Sequence, residues 1–187
     1  MSFDAFRELS DFLLRLTVLT GSGGLRLLYL KGGPRDNAVL EGWTGPSLLP
    51  LNDGRLLRFS MSLYLAPHEG GTRLKVEKSV YQYQLDQDGE RWIFRYDYLR
   101  HATEPHPAAH LQIRGALIEG TVAPVRETLD RVHFPTGRVS LEAVIRLLVE
   151  QFGVRTNEES EIWRPVLAES ERVFEEIAHR PLSGPST

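Results

Sequence analysis

Apolar and polar positions alternate along this chain with two different periods, and the period changes where the elements change. Phe6, Leu9, Leu13 and Leu16 recur at helical spacing. They predict an amphipathic helix over 2–19, capped by Ser2 and with Asp4 at its positive end. Gly21, Gly23 and Gly24 end it. A glycine run cradles a phosphate only where it follows a strand and opens a helix. This one follows a helix and precedes LRLLYL, which reads as a strand, so it is read as a turn. Residues 31–54 are punctuated by glycine and proline, with a short strand expected around 38–43.

From residue 55 the period becomes two. The runs 55–65, 73–85 and 91–99 are rich in aromatic and β-branched residues and are separated by turn clusters at 67–71 and 86–89. Asp88-Gly89 between two such runs signals a hairpin. The run 109–114 (AHLQIR) reads as a fourth strand. Connections this short predict an antiparallel meander. Residues 116–122 are read as a further strand with a helical turn after Pro124, and 131–134 as a strand or an extended segment. The helical period then returns. Ser140 caps a helix whose face is Leu141, Val144, Ile145, Leu148 and Phe152, with Gly153 at the C-terminal cap. Ile162, Trp163, Val166, Leu167, Val173, Phe174 and Ile177 form the stripe of a last helix over 159–179, with Pro165 in or near its first turn and a frayed tail from Pro181. The expected fold is one α+β domain over 1–187. Its antiparallel β-meander has about four to six strands, with one N-terminal and two C-terminal helices packed on one face.

Composition narrows the function. The chain has 187 residues, 41% hydrophobic and 25% charged, ordinary values for a globular domain. It holds no cysteine, which excludes disulfides, thiol chemistry and cysteine-ligated zinc and suits a reducing compartment. Charges interrupt the N-terminal apolar positions and no run reaches membrane-spanning length, so the expectation is a cytoplasmic protein with no membrane association. The net charge of −3 excludes a generally basic polyanion binder while allowing a local basic patch. The glutamates of the last helix form a charged outer face, either simply solvated or a dock for a basic partner.

Chemistry concentrates in 91–115, which holds three of the six histidines. If the strands at 91–99 and 109–114 are neighbours, alternation places Arg95, Asp97, His110, Gln112 and Arg114 on one face and the apolar residues on the other. A one-residue slip would undo this. Such a group can cut a phosphodiester without metal: His110 shuttles a proton, Asp97 orients it, and Arg95 and Arg114 hold the phosphate. His106 or His133 supplies a second proton carrier, and Tyr96 is a base-stacking candidate. The alternative is a solvated face whose charges pair across the sheet. A metal site at His101, His106 and His110 with Asp97 upstream is a further option. Pro105 and Pro107 deny that spacing a helix, and the expectation is a site without metal or cofactor.

The sequence Tyr81-Gln82-Tyr83, then Asp88-Gly89, then Phe94-Arg95-Tyr96-Asp97, then a His/Pro-rich turn leading to His110, resembles small toxins of the TumE type. The resemblance covers roughly 73–152 and has no counterpart for the first fifty residues or the last helix. It implies a small α+β toxin of a toxin–antitoxin pair acting on RNA and neutralised by a partner protein, with Arg95, Asp97 and His110 as site residues. The competing expectation is a non-enzymatic bacterial binding or assembly protein that recognises a protein partner through its sheet or its acidic helix.

Overall fold

The structure, a computed structural model, describes residues 2–17, 20–30, 36–44, 47–69, 71–102, 107–114, 132–157 and 160–179. The elements run α1 (Ser2–Thr17), β1 (Leu25–Leu30), β2 (Asn37–Gly42), β3 (Leu48–Pro50), β4 (Leu56–His68), β5 (Gly71–Gln84), β6 (Trp92–Leu99), β7 (Ala109–Ile113), β8 (Phe134–Pro135), α2 (Leu141–Glu150) and α3 (Ser160–His179). All strands join one antiparallel eight-stranded sheet, ordered β1-β2-β4-β5-β6-β7-β8 with β3 paired to β4. This is the expected α+β fold with more strands than four to six. The surplus includes β3, too short to show an alternating pattern, while β8 begins at the end of the segment read as a strand or an extended stretch. The strand expected at 116–122 and the turn after Pro124 lie outside the described residues.

One face of the sheet is apolar because alternation puts Leu57, Phe59 and Met61 of β4, Tyr81 and Tyr83 of β5, and Phe94 of β6 on the same side. The helices cover that side. Phe6, Leu9, Leu13 and Leu16 of α1, Leu141, Val144, Ile145 and Leu148 of α2, and Trp163 and Leu167 of α3 join one core with it. Phe59 and Tyr81 stack at 5.7 Å between ring centroids, and Tyr83 meets Phe94 at 5.6 Å and Phe152 at 5.2 Å. Each such buried side chain contributes about 1.5–3 kcal/mol by leaving water. Glu142 of α2 is buried too, and the hydroxyl of Ser170 on α3 donates to its carboxylate, tying the two helices together.

The long hairpin β4–β5 contains a bulge that decides which face each residue of β5 takes. Ser62 pairs with Lys78 but Leu63 pairs with Val76, leaving Glu77 as the extra residue. The apolar phase of β5 changes there, from Leu74 and Val76 to Tyr81 and Tyr83, and the bulge keeps all four on the core side. Arg100 holds it: its backbone N–H donates to the Glu77 carbonyl and its side-chain Nε to the Val76 carbonyl, both at 2.8 Å.

The glycine signals resolve in two ways. A Cβ on Gly21 would lie 2.0 Å from the Pro50 carbonyl, so this glycine permits a close approach of backbones and leads into a strand, not a helix. Gly89 has φ +78° in a seven-residue connection between β5 and β6. There Asp86 accepts from the backbone N–H groups of Gly89 (2.8 Å) and Arg91 (3.0 Å), so Asp86 shapes the hairpin as much as the Asp88-Gly89 pair does. The Ser140 hydroxyl accepts from the Ala143 N–H at 3.2 Å, the cap that the sequence predicts for α2. Pro165 lies inside α3, a step beyond its first turn. No helix among the described residues is long and apolar enough to cross a membrane.

Two stability outcomes follow. Ser140→Ala removes the α2 cap and lowers unfolding free energy by about 1 kcal/mol in urea titrations at neutral pH; a change near zero would show the cap to be idle. Tyr83 is buried, donates to Asp53 and accepts from Arg55 at 2.6 Å. Burial first, and the Asp53 carboxylate second, push its phenol up to about 12 against an ordinary 10. The unfolded chain therefore ionises first, and this contribution to stability is complete below pH 10 and is lost as pH rises toward 12. In Tyr83→Phe the fall in stability between pH 9 and pH 12 is smaller than in the parent; an identical fall would remove Tyr83 from the account.

Candidate functional site

On the face of the sheet away from the helices, β6 and β7 present the polar half of their alternation. Arg95 lies opposite Gln112 and Asp97 opposite His110, the register that gathers these side chains on one face. Arg95 grips Asp97 from the side: its Nε is 2.6 Å from Oδ2, and its terminal nitrogen donates to Oδ1 at 2.8 Å. One charge-assisted hydrogen bond with a second close charge contact beside it makes this a tight ion pair. It fixes both side chains with their charges offset.

The face is closed at one end. Gln82 and Gln84 of β5 are buried there beneath the connection 85–91, with Gln82 donating to Gln84 at 2.8 Å and Gln84 donating to the Asp86 carbonyl at 2.6 Å. The other end opens into a pocket of about 370 Å³. That volume lies in the range of small-ligand sites. Its polar wall is Arg95, Asp97, His110, Gln112 and His133. Leu99, Ala102, Pro107 and Ala108 give an apolar wall, and Lys78 stands at its side.

The backbone sets the tautomer of His110. Its Nδ1 lies 3.1 Å from the Pro107 carbonyl, which can only accept. Nδ1 therefore carries the proton in the neutral ring, leaving Nε2 as the basic atom. Nε2 lies 3.8 Å from Asp97 Oδ2, a charge contact and longer than a hydrogen bond. Asp97 therefore meets His110 as a charge contact and not as a hydrogen-bond partner, while the Pro107 carbonyl holds the other side of the ring. Asp97 faces the positive charge that His110 acquires on taking a proton. The His110 and His133 rings meet edge to face with centroids 4.5 Å apart, and His133 Nε2 lies 3.4 Å from the Gln112 amide nitrogen.

The remaining candidates fall elsewhere. Tyr96 is on the core side, pairing across β5 with Tyr81 and meeting Phe94 edge to face, so it does not line the pocket. Arg114 lies just past the end of β7, exposed and outside the pocket lining. His101 is exposed in the turn after β6, and His106 lies outside the described residues. Among the described residues no three His, Asp or Glu side chains are grouped to hold a metal. Lys78, Leu99 and Pro107 are additions that the local sequence did not signal. Lys78 and Leu99 become neighbours only through the register of β5 with β6. Pro107 acts through its carbonyl, which carries no residue signature.

Comparisons with protein-family models, with curated proteins and with solved structures find no match to this chain, so a functional reading rests on the pocket itself.

Proposed function

We propose that this chain is a toxin-like nucleic-acid-processing enzyme that cleaves RNA phosphodiester bonds without a metal. The observation that carries the reading is the pairing of His110 and His133 beside the Arg95–Asp97 clamp in one pocket. Proton transfer by a positioned imidazole and fixed cations facing developing phosphate charge are what such a cleavage needs. His110 Nε2 takes the proton of a ribose 2′-hydroxyl, and the freed oxygen attacks the adjacent phosphorus. The 5′-oxygen leaves with a proton from the imidazolium of His133, giving a 2′,3′-cyclic phosphate and a free 5′-hydroxyl. Asp97 stabilises the imidazolium formed at His110, and the outer edge of Arg95 with Gln112 holds the phosphate oxygens. A phosphate does not fit between rings 4.5 Å apart, so His133, just ahead of β8, swings from His110 when substrate enters.

The competing reading, a binding protein that docks a protein partner, is favoured by β1. This strand ends the sheet order and carries Leu28 and Leu30, 43% and 50% exposed. A toxin held by an antitoxin would combine the two.

His110→Ala lowers the rate of RNA cleavage by about 10²–10⁴-fold, read as cyclic-phosphate product from a labelled oligoribonucleotide. Equal turnover and equal growth inhibition by parent and variant would remove His110 from the mechanism, and products ending in 5′-phosphate would overturn the chemistry. Asp97→Asn lowers kcat about tenfold without raising KM, because the charge facing the imidazolium is lost while Arg95 is freed for phosphate. A raised KM at unchanged kcat would make Asp97 a binding group instead.

A further inference from the structure

We propose that the pocket-side face of the β4–β5 ribbon is a phosphate track, with Arg73, Lys75 and Lys78 as its cations, that leads a single-stranded nucleic acid into the pocket. The track rests on reading the pocket as a nucleic-acid site, and its own support is separate. Lys75 and Lys78 are three residues apart, so in a regular strand they would face opposite sides. The bulge at Glu77 cancels that difference. Leu74 and Val76 turn to the core before it and Tyr81 and Tyr83 after it, which leaves Arg73, Lys75 and Lys78 together on the face of Arg95 and Asp97.

Continuity and charge point the same way. Lys78 itself lines the pocket, and Lys75 and Arg73 follow it along β5 beyond the last residue that β6 pairs. Among the described residues none of the three is in an ion pair, whereas Arg7, Arg26, Arg95, Arg146, Arg164 and Arg172 each have a carboxylate within reach. A chain with net charge −3 thus sets three cations, none in an ion pair among the described residues, along one strand leading to its pocket, with Glu77 the one carboxylate between them on β5. Arg73 and Lys75 stand about 6.6 Å apart at strand rise, a separation comparable with that of successive phosphates in an extended strand. A pocket of about 370 Å³ has room for one nucleotide and not for a duplex, which selects single strands. Backbone-following cations of this kind bind with little sequence preference and strong salt dependence.

The test is the salt dependence of binding to an uncleavable 2′-O-methyl oligoribonucleotide of about ten residues, a length of the order of one single-strand binding site, followed by fluorescence anisotropy. Three lost phosphate contacts make the slope of log K against log [KCl] shallower by about 2, at roughly 0.7 per contact. The triple variant Arg73→Gln, Lys75→Gln, Lys78→Gln is expected to show that change with parental circular dichroism. Lys75→Arg with Lys78→Arg keeps the parental slope. The triple variant also cleaves a dinucleotide, too short to reach Arg73, with a smaller loss than it shows on the longer strand. An unchanged slope in the triple variant overturns the track, as does failure of the parent to bind at about 50 mM salt. A parent that binds with this slope but cuts nothing keeps the track and removes the ribonuclease reading. A parent that cuts RNA while the triple variant binds and cuts equally well keeps the ribonuclease and removes the track.

Discussion

Burying Phe59, Tyr81, Tyr83 and Phe94 under three helices fixes the register of the central strands, and everything on the opposite face inherits that register. A slip of one residue would expose the aromatic set and bury Arg95 and Asp97, at a cost of several side-chain burials of about 1.5–3 kcal/mol each. The apolar side therefore holds the polar side in place. Arg95 can pair with Asp97, and His110 can face Asp97, because their core-facing neighbours cannot move.

The polar side in turn shows how one cluster can be divided among roles. Asp97 is committed to Arg95, so it supplies charge to His110 from 3.8 Å without bonding to it. Orientation of the imidazole comes from the carbonyl of Pro107, a residue that also lines the pocket. The result is an imidazole whose Nδ1 faces a carbonyl, a second imidazole against it, and a cation beside them.

Irregularity matters as much as regularity. The bulge at Glu77 reconciles two apolar phases within β5 and, as its consequence, lines up cations that simple alternation would separate. At the hairpin connection 85–91, Gln82 and Gln84 are buried and Gln84 donates to the Asp86 carbonyl. The polar face is shaped by two places where the strand pattern is broken and by many where it is kept.

The amino-acid sequence by itself determined the elements and the two-strand face. Helical spacing marks α1, α2 and α3, the period-two runs mark β4 to β7, and Ser140 marks a cap, because each of these signals is local. His110, Gln112, Arg95 and Asp97 were in phase on their own strands, so pairing them needed one assumption about register. The tertiary structure alone decided the rest. A short strand such as β3 forms because a neighbour offers hydrogen-bonding groups, and three residues hold too little pattern to announce it. Lys78 and Leu99 reach the pocket by pairing across strands, His133 approaches His110 across twenty-three positions of chain, and the Pro107 carbonyl is invisible to side-chain reasoning. The exclusion of Tyr96 has the same origin: an aromatic residue beside a site in sequence lies behind it in a sheet, since adjacent strand residues face opposite ways.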